Sequence, residues 1–232
     1  AMNIAFLQEW TEYAESAGVN LFEVIEAIRV RPTHRNLMYP GFGVGGYCLT
    51  KDSLLADWSY NNLFEGQGHL EMSLNAVSVN DRMPEHSFNR LLEISGSLEG
   101  RKIAIMGISY LNDVADTRYS PSQYFYELCL RENAIIHIHD PIVEYWEEKD
   151  IKIENDITML SEMKHDIAIF TVKHTQYMEM SSEDILNILP GVSIIVDANN
   201  IISDETAAEL ASTGIKMIGI GKGHWANDRS KG

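Results

Sequence analysis

Cysteine is nearly missing from this sequence: Cys48 and Cys129 are the only ones in a chain of 232 residues. They cannot form a disulfide framework, and two free thiols suit a reducing cytoplasm, the expected location. Cations are scarce as well. Lys plus Arg is 18 against 34 for Asp plus Glu, a formal net charge of −16. Such a polyanion gains nothing from counterion release on DNA or RNA, and an anionic membrane surface repels it. Neither nucleic acid nor membrane is an expected partner. No apolar run approaches the ~20 residues that cross a bilayer, and no basic-then-apolar signal segment opens the chain. What is present is ordinary: hydrophobic residues make up 45% and charged residues 22%. That composition belongs to a globular protein, long enough to bury a core without staples.

The first residues already read as a helix. From Asn3, the positions Ile4, Leu7, Ala14 and Ala17 form an apolar stripe with no capping signal ahead of it. A helix without a start signal suggests that the upstream part of a larger protein has been cut away or was never there, with Ala1 a cloning remnant ahead of Met2. Gly18 closes this helix and Asn20 caps the next, with Glu23 at the reciprocal capping position. Leu21, Val24, Ile25 and Ile28 are its predicted buried face. An irregular stretch over 31–47 follows, and helical spacing resumes at Cys48 through Leu54, Leu55 and Trp58. A long helical segment is predicted over 69–95, with Leu70, Leu74 and Val77 as its stripe. Pro84 kinks it or opens a new helix there. Residues 1–97 are thus expected to form an all-helical domain.

Past a boundary at 96–100 the pattern changes. Short β-rich runs recur at 102–106, 134–138, 167–172, 193–196 and 216–220. Helical stretches separate them at 121–132, 157–163, 183–189 and 204–212, the first opened by a predicted capping box of Ser120 and Gln123 with Pro121 at N1. Strands alternating with helices imply βαβ units, so residues 98–232 are expected to form a Rossmann-like, doubly wound parallel-sheet domain. The predicted class is α followed by α/β.

Gly41, Gly43 and Gly46 spell a GxGxxG pattern, yet Tyr39-Pro40 precedes it where a dinucleotide site needs a strand. We reject the Rossmann reading of this loop. Directly after it comes Cys48-Leu49-Thr50-Lys51-Asp52. Glycines let a backbone approach a ligand, and these deliver a cysteine to a predicted helix N-terminus. The helix dipole and Lys51 both favour a thiolate there. Asp52, one turn on from Cys48, could orient a water or a base. The blander alternative is a small buried thiol after a structural turn. Cys129, inside an apolar helix, is read as a core residue.

The turn Met106-Gly107-Ile108-Ser109-Tyr110 does follow a strand, but one glycine cannot seat a pyrophosphate in the usual dinucleotide manner. Arg118, close to the Ser120 cap, could hold a phosphate, with a solvated loop as the alternative. His137 and His139 share a strand face, but no carboxylate stands at matching spacing, so no metal site is expected.

Residues 39–52 (YPGFGVGGYCLTKD) resemble the active-site segment of the UDP-glucose/GDP-mannose dehydrogenase family. So does Asn80-Asp81-Arg82-Met83-Pro84; residues 102–121 (KIAIMGISYLNDVADTRYSP) resemble the opening of that family's C-terminal domain, and 196–201 (VDANNI) a later loop in it. The resemblance spans essentially the whole chain, with the motifs in the family's order. It implies a helical dimerisation domain and a Rossmann-like domain that helps bind a nucleotide sugar, without the family's N-terminal NAD-binding domain. It also implies NAD-dependent oxidation of a sugar C6 alcohol to the carboxylate through a cysteine thiohemiacetal and thioester, for polysaccharide precursors. By resemblance Cys48 is the nucleophile, with Lys51 beside it and Asp52 assisting water. Tyr39, Gly43, Gly45 and Gly46 line the sugar pocket, and Arg118 faces the cofactor or partner domain. A homodimer through the helices of 69–95 is expected.

The sequence also departs from the family. Leu111 stands where the family has a lysine, and Asn199 where it has an arginine, both contacts to the nucleotide sugar. Two further readings follow from these departures: a non-catalytic nucleotide-sugar-binding module, or a dimerisation scaffold. With no NAD domain, the chain alone is expected to be inactive.

Overall fold

A computed structural model describes residues 1–229. The N-terminal part consists of α1 (Met2–Ser16), α2 (Leu21–Arg29), α3 (Cys48–Asn62), α4 (Glu71–Asp81) and α5 (Met83–Ser95). Gly18, at φ 69°, turns the chain out of α1 as a C′ glycine does. Asn20 caps α2, its side-chain oxygen accepting from the Phe22 N–H at 3.1 Å. Glu23 accepts from the Asn20 side-chain amide, not from its backbone, so the capping box is only half built.

Three helical expectations need correcting. On α2 only Leu21 and Ile25 are buried; Val24 and Ile28 stay exposed, because α1 and the turn at Pro32–His34 cover one side of the helix. On α3 no residue is buried, and Leu54, Leu55 and Trp58 face outward although their spacing is helical. Over 69–95 the second expectation for Pro84 holds, a new helix opening there, but the expected apolar stripe is only partly buried. α4 ends at Asp81, and Pro84 sits in the first turn of α5, where its missing N–H is harmless. Of the expected stripe, Val77 is buried, Leu74 half-buried and Leu70 exposed.

The rest follows as β1 (Lys102–Met106), α6 (Pro121–Arg131), β2 (Ile135–His139), β3 (Tyr145–Trp146), β4 (Ile151–Lys152), α7 (Leu160–Met163), β5 (Ile167–Phe170), α8 (Thr175–Met178), α9 (Ser182–Ile188), β6 (Ile194–Asp197), α10 (Asp204–Ser212) and β7 (Lys216–Gly219). The main sheet is 5-stranded and parallel, in the order β2-β1-β5-β6-β7. Strands β5 and β6 are buried along their whole length, as strands covered on both faces must be. Edge strand β2 can carry His137 because it pairs on one side only. A small antiparallel hairpin, β3–β4, had no sequence signal.

One hydrophobic cluster joins Phe42, Phe88 and Leu91 of the helical part to Ile103, Ile105 and Phe125. The Phe42 and Phe88 rings both pack against Phe125, at 5.6 and 6.1 Å between centroids. At the far end of the sheet, the segment after β7 is stitched to α1 and α2. Leu21 N–H donates to Gly221 O at 2.9 Å, and Gly221 N–H to the Glu15 carboxylate at 2.8 Å. The helices and sheet therefore hold each other at two places. The strand order also steps from β1 to β5, so the loops leaving those strands part and open a crevice at their carboxyl ends.

Candidate functional site

The glycine loop ahead of α3 is pinned from three directions. The Asn80 side chain accepts from the Val44 N–H and donates to the Val44 carbonyl, both at 2.9 Å. From the sheet side, Gly46 N–H donates to Arg118 O at 3.1 Å. From within α3, the Thr50 hydroxyl donates to Gly46 O at 2.6 Å. Asn80 therefore does for this loop what a neighbouring strand does for another, satisfying one backbone donor and one acceptor with a single amide. The sequence motif contained Asn80 but gave no hint of this role.

Gly45 and Gly46 lie where the loop meets the β1–α6 connection, and both are buried. A Cβ on Gly45 would come within 2.4 Å of Tyr119 O and 2.7 Å of Tyr110 Cβ. Gly46, at φ 79°, holds a left-handed turn that a side chain disfavours. The loop thus presses close against its neighbour and delivers Tyr47 as the N-cap of α3, with no side-chain cap, and Cys48 as the first helical residue. Cys48 is exposed and sits at the positive end of a helix of 15 residues.

Charged side chains gather around Tyr47. Lys51 Nζ lies 5.2 Å from the Tyr47 ring centroid and 3.8 Å from Asp52. The Arg118 guanidinium lies 4.8 Å from the same centroid and is ion-paired with Asp116 at 2.5 Å, which pushes its pKa up. Four of the residues singled out in the sequence (Cys48, Lys51, Asp52 and Arg118) thus share one neighbourhood. Tyr39 does not join them through any contact. Its ring stacks on Phe22 at 5.9 Å under Arg29, and its hydroxyl donates to Glu26. Cys129 is fully buried in the sheet core, and burial pushes its thiol pKa far up.

The crevice between β1 and β5 has a volume of about 220 Å³. Gly43 and Val44 form one wall, Ser109 to Asn112 another, and Thr171 to Lys173 with Asn199 the floor. Leu111 and Asn199 both line it. Its β1 wall is held by Asp140, which is fully buried. One Asp140 oxygen accepts from the N–H groups of Ile108 at 2.8 Å and Ser109 at 3.3 Å, and from His174 Nε2 at 3.2 Å. The other accepts from the N–H groups of Ile142 at 3.0 Å and Val143 at 2.9 Å. His137 and His139 are used separately, the first against His165 at 2.8 Å and the second against the Tyr177 hydroxyl at 2.7 Å.

Comparison with known proteins matches both parts of the chain. The central domain of the UDP-glucose/GDP-mannose dehydrogenase family matches residues 1–82, and that family's UDP binding domain matches residues 104–204. The chain is 30% identical to the UDP-N-acetyl-D-mannosamine dehydrogenase of Methanocaldococcus jannaschii, covering 96% of this chain and 48% of that protein. It is 25% identical to the UDP-glucose 6-dehydrogenase of Rickettsia prowazekii, covering 95% and 51%. Among solved structures, it matches the NDP-N-acetyl-D-galactosaminuronic acid dehydrogenase of Methanosarcina mazei with a TM-score of 0.85 and 26% identity, over 97% of this chain and 49% of that one. The chain spans about half the length of the curated relatives it matches. Matched in its helical part and again in its sheet, the chain belongs to the UDP-glucose/GDP-mannose dehydrogenase family.

Proposed function

We propose that these residues are the central and C-terminal portion, or a shortened relative, of an NAD-dependent nucleotide-sugar 6-dehydrogenase. In this reading it works in the cytoplasm, and the sugar C6 alcohol becomes a carboxylate, through a cysteine thiohemiacetal and thioester, for polysaccharide precursors. One observation carries it: a pinned glycine loop both walls the crevice, through Gly43 and Val44, and delivers exposed Cys48 to the start of α3.

The described residues do not fit NAD. A dinucleotide pyrophosphate needs free N–H groups at a glycine-rich βα turn. Here Gly107 N–H donates to His139 O, Ile108 and Ser109 to Asp140, and Tyr110 to Asp116 O. In the proposal, NAD is held by protein outside this chain and Arg118 faces it. This chain's own residues supply the covalent chemistry. The Cys48 thiolate adds to the C6 aldehyde carbon, and the carbonyl electron pair moves onto oxygen. Once the thioester exists, water attacks its carbonyl, Asp52 accepts the proton, and the Cys48 thiolate leaves. Lys51 stands one turn after Cys48, at the positive end of α3.

Two results are expected of the purified chain. Iodoacetamide at pH 7 should modify Cys48 well before Cys129, as read by peptide mass spectrometry, and UDP-N-acetylmannosamine or UDP-glucose should slow Cys48 alone. No absorbance at 340 nm should develop with NAD and either sugar. If Cys129 reacts first, or neither sugar protects Cys48, the catalytic assignment fails.

We also propose a homodimer through the helical part. Besides Leu70 on the expected segment, Phe6, Trp10 and Tyr13 on α1 and Leu54, Leu55 and Trp58 on α3 remain exposed. A two-fold contact would bury such a surface. Light scattering at micromolar concentration should give twice the 26.2 kDa chain mass, and a monomer mass would refute it.

A further inference from the structure

We infer that Lys173 recognises the phosphate-bearing part of the nucleotide sugar in the β1–β5 crevice; the inference rests on the function proposed above. The crevice, at about 220 Å³, falls short of the ~300–1,000 Å³ of whole-ligand pockets, so it suits part of a ligand. It lies where the parallel sheet reverses its strand order, the place where such folds receive nucleotides.

The turn after β1 and the start of α6 have no backbone N–H to spare for an anion. The N–H groups of residues 107–110 are all engaged, as described above. At the start of α6, Ser122 N–H donates to the Ser120 hydroxyl and Gln123 N–H to Ser120 O. A phosphate beside that turn and helix start is then met by a side chain. Leu111 and Asn199 line the crevice and are both uncharged. No carboxylate lines it either, in a chain whose net charge is −16. Lys173 is the one lining residue with a charge.

Lys173 is also uncommitted. It is half-buried, in the short loop between β5 and α8, and makes no ion pair or hydrogen bond among the described residues. Its neighbours are each spoken for. His174 accepts the Asp113 N–H at 3.0 Å and meets Asp140 at 3.2 Å, while Asp113 takes the Thr175 hydroxyl at 2.6 Å. A half-buried lysine with no internal partner, beside a crevice lined by no other charge, is available to an anion. It also has nothing to lose on meeting it.

Binding of UDP, uridine and inorganic pyrophosphate to the complete chain, by calorimetry, tests this. Lys173→Ala should weaken UDP and pyrophosphate about 10- to 100-fold, the scale of a lost charge-assisted hydrogen bond. Uridine affinity and the melting temperature should not move, and Lys173→Arg should retain UDP to within about threefold. A structural role for Lys173 would shift the melting temperature and all three ligands together, and would overturn the inference. Unchanged UDP affinity in Lys173→Ala, with wild type binding UDP normally, would sink Lys173 and leave the proposed function standing. Wild type that binds neither UDP nor GDP at millimolar concentration would sink both.

Discussion

Asp140→Ala is expected to destabilise the protein by about 3–5 kcal/mol, the range seen when one partner is removed from a buried charged network. Urea unfolding should show it as a lower midpoint. The carboxylate is completely buried, and both of its oxygens are saturated by donors. Alanine would strand the N–H groups of Ile108, Ser109 and Val143, each an unpaired buried donor worth about 1–3 kcal/mol before relaxation, and leave that of Ile142 to solvent. Asp140→Asn should do little better. Because donors face both oxygens, an amide placed either way sets its NH₂ against backbone N–H groups. His174 receives the Asp113 N–H on Nδ1, so its proton sits on Nε2 and points at Asp140. The penalty should also depend on pH. Burial works to raise the Asp140 pKa, but hydrogen bonds from His174, Ile108 and Val143 outweigh it and hold it below the usual carboxylate value. A depressed folded pKa means stabilisation that is complete above the unfolded value, about 3.9, and lost as pH falls through the folded one. The gap between wild type and variant should therefore narrow below about pH 4. A difference under about 1 kcal/mol at pH 7 would show that the loop around the crevice does not depend on this carboxylate.

Asp140 also marks where the sequence stops being readable. Its donors Ile108 and His174 lie 32 and 34 residues away, on other loops, and no local spacing encodes such a meeting. The strands were legible for the opposite reason. A buried parallel strand must be apolar on both faces, so KIAIM and IAIF announce themselves as short runs. The caps at Asn20 and Ser120 are equally local, one side-chain oxygen reaching an N–H two residues on. Helix faces were less reliable. Periodicity says which residues share a side of α2 or α3, not whether anything covers that side, and Val24, Ile28 and Trp58 are left exposed. In the candidate site, the cysteine and its loop could be read because glycines, a helix start and charges stand within a few residues. Asn80, which holds that loop from 36 residues away, and Lys173, an ordinary lysine in a loop, had no such signature.

Gly45→Ala should cost about 3 kcal/mol, at the upper end of what overpacking a filled site does. The methyl would lie 2.4 Å from Tyr119 O and 2.7 Å from Tyr110 Cβ, with Tyr119 C at 3.0 Å. None of these is the free end of a side chain, so relief requires the glycine loop and the β1–α6 connection to move apart. That separation stretches the Gly46 N–H to Arg118 O bond, now 3.1 Å, and loosens Arg118 from the Tyr47 ring. Crowding can be told from backbone strain with Gly96→Ala. Gly96 has φ +75° and open space around its Cα, so alanine there should cost only the left-handed penalty of about 1–2 kcal/mol. The two variants should also differ in chemistry. Gly45→Ala releases the segment leading into Cys48, so iodoacetamide should modify that thiol at a changed rate and lose its slowing by nucleotide sugar. Gly96→Ala, at the end of α5, should keep both as in wild type. An alanine at 45 accepted within about 0.5 kcal/mol, with protection of Cys48 intact, would mean that the close approach of the two loops is incidental to the site.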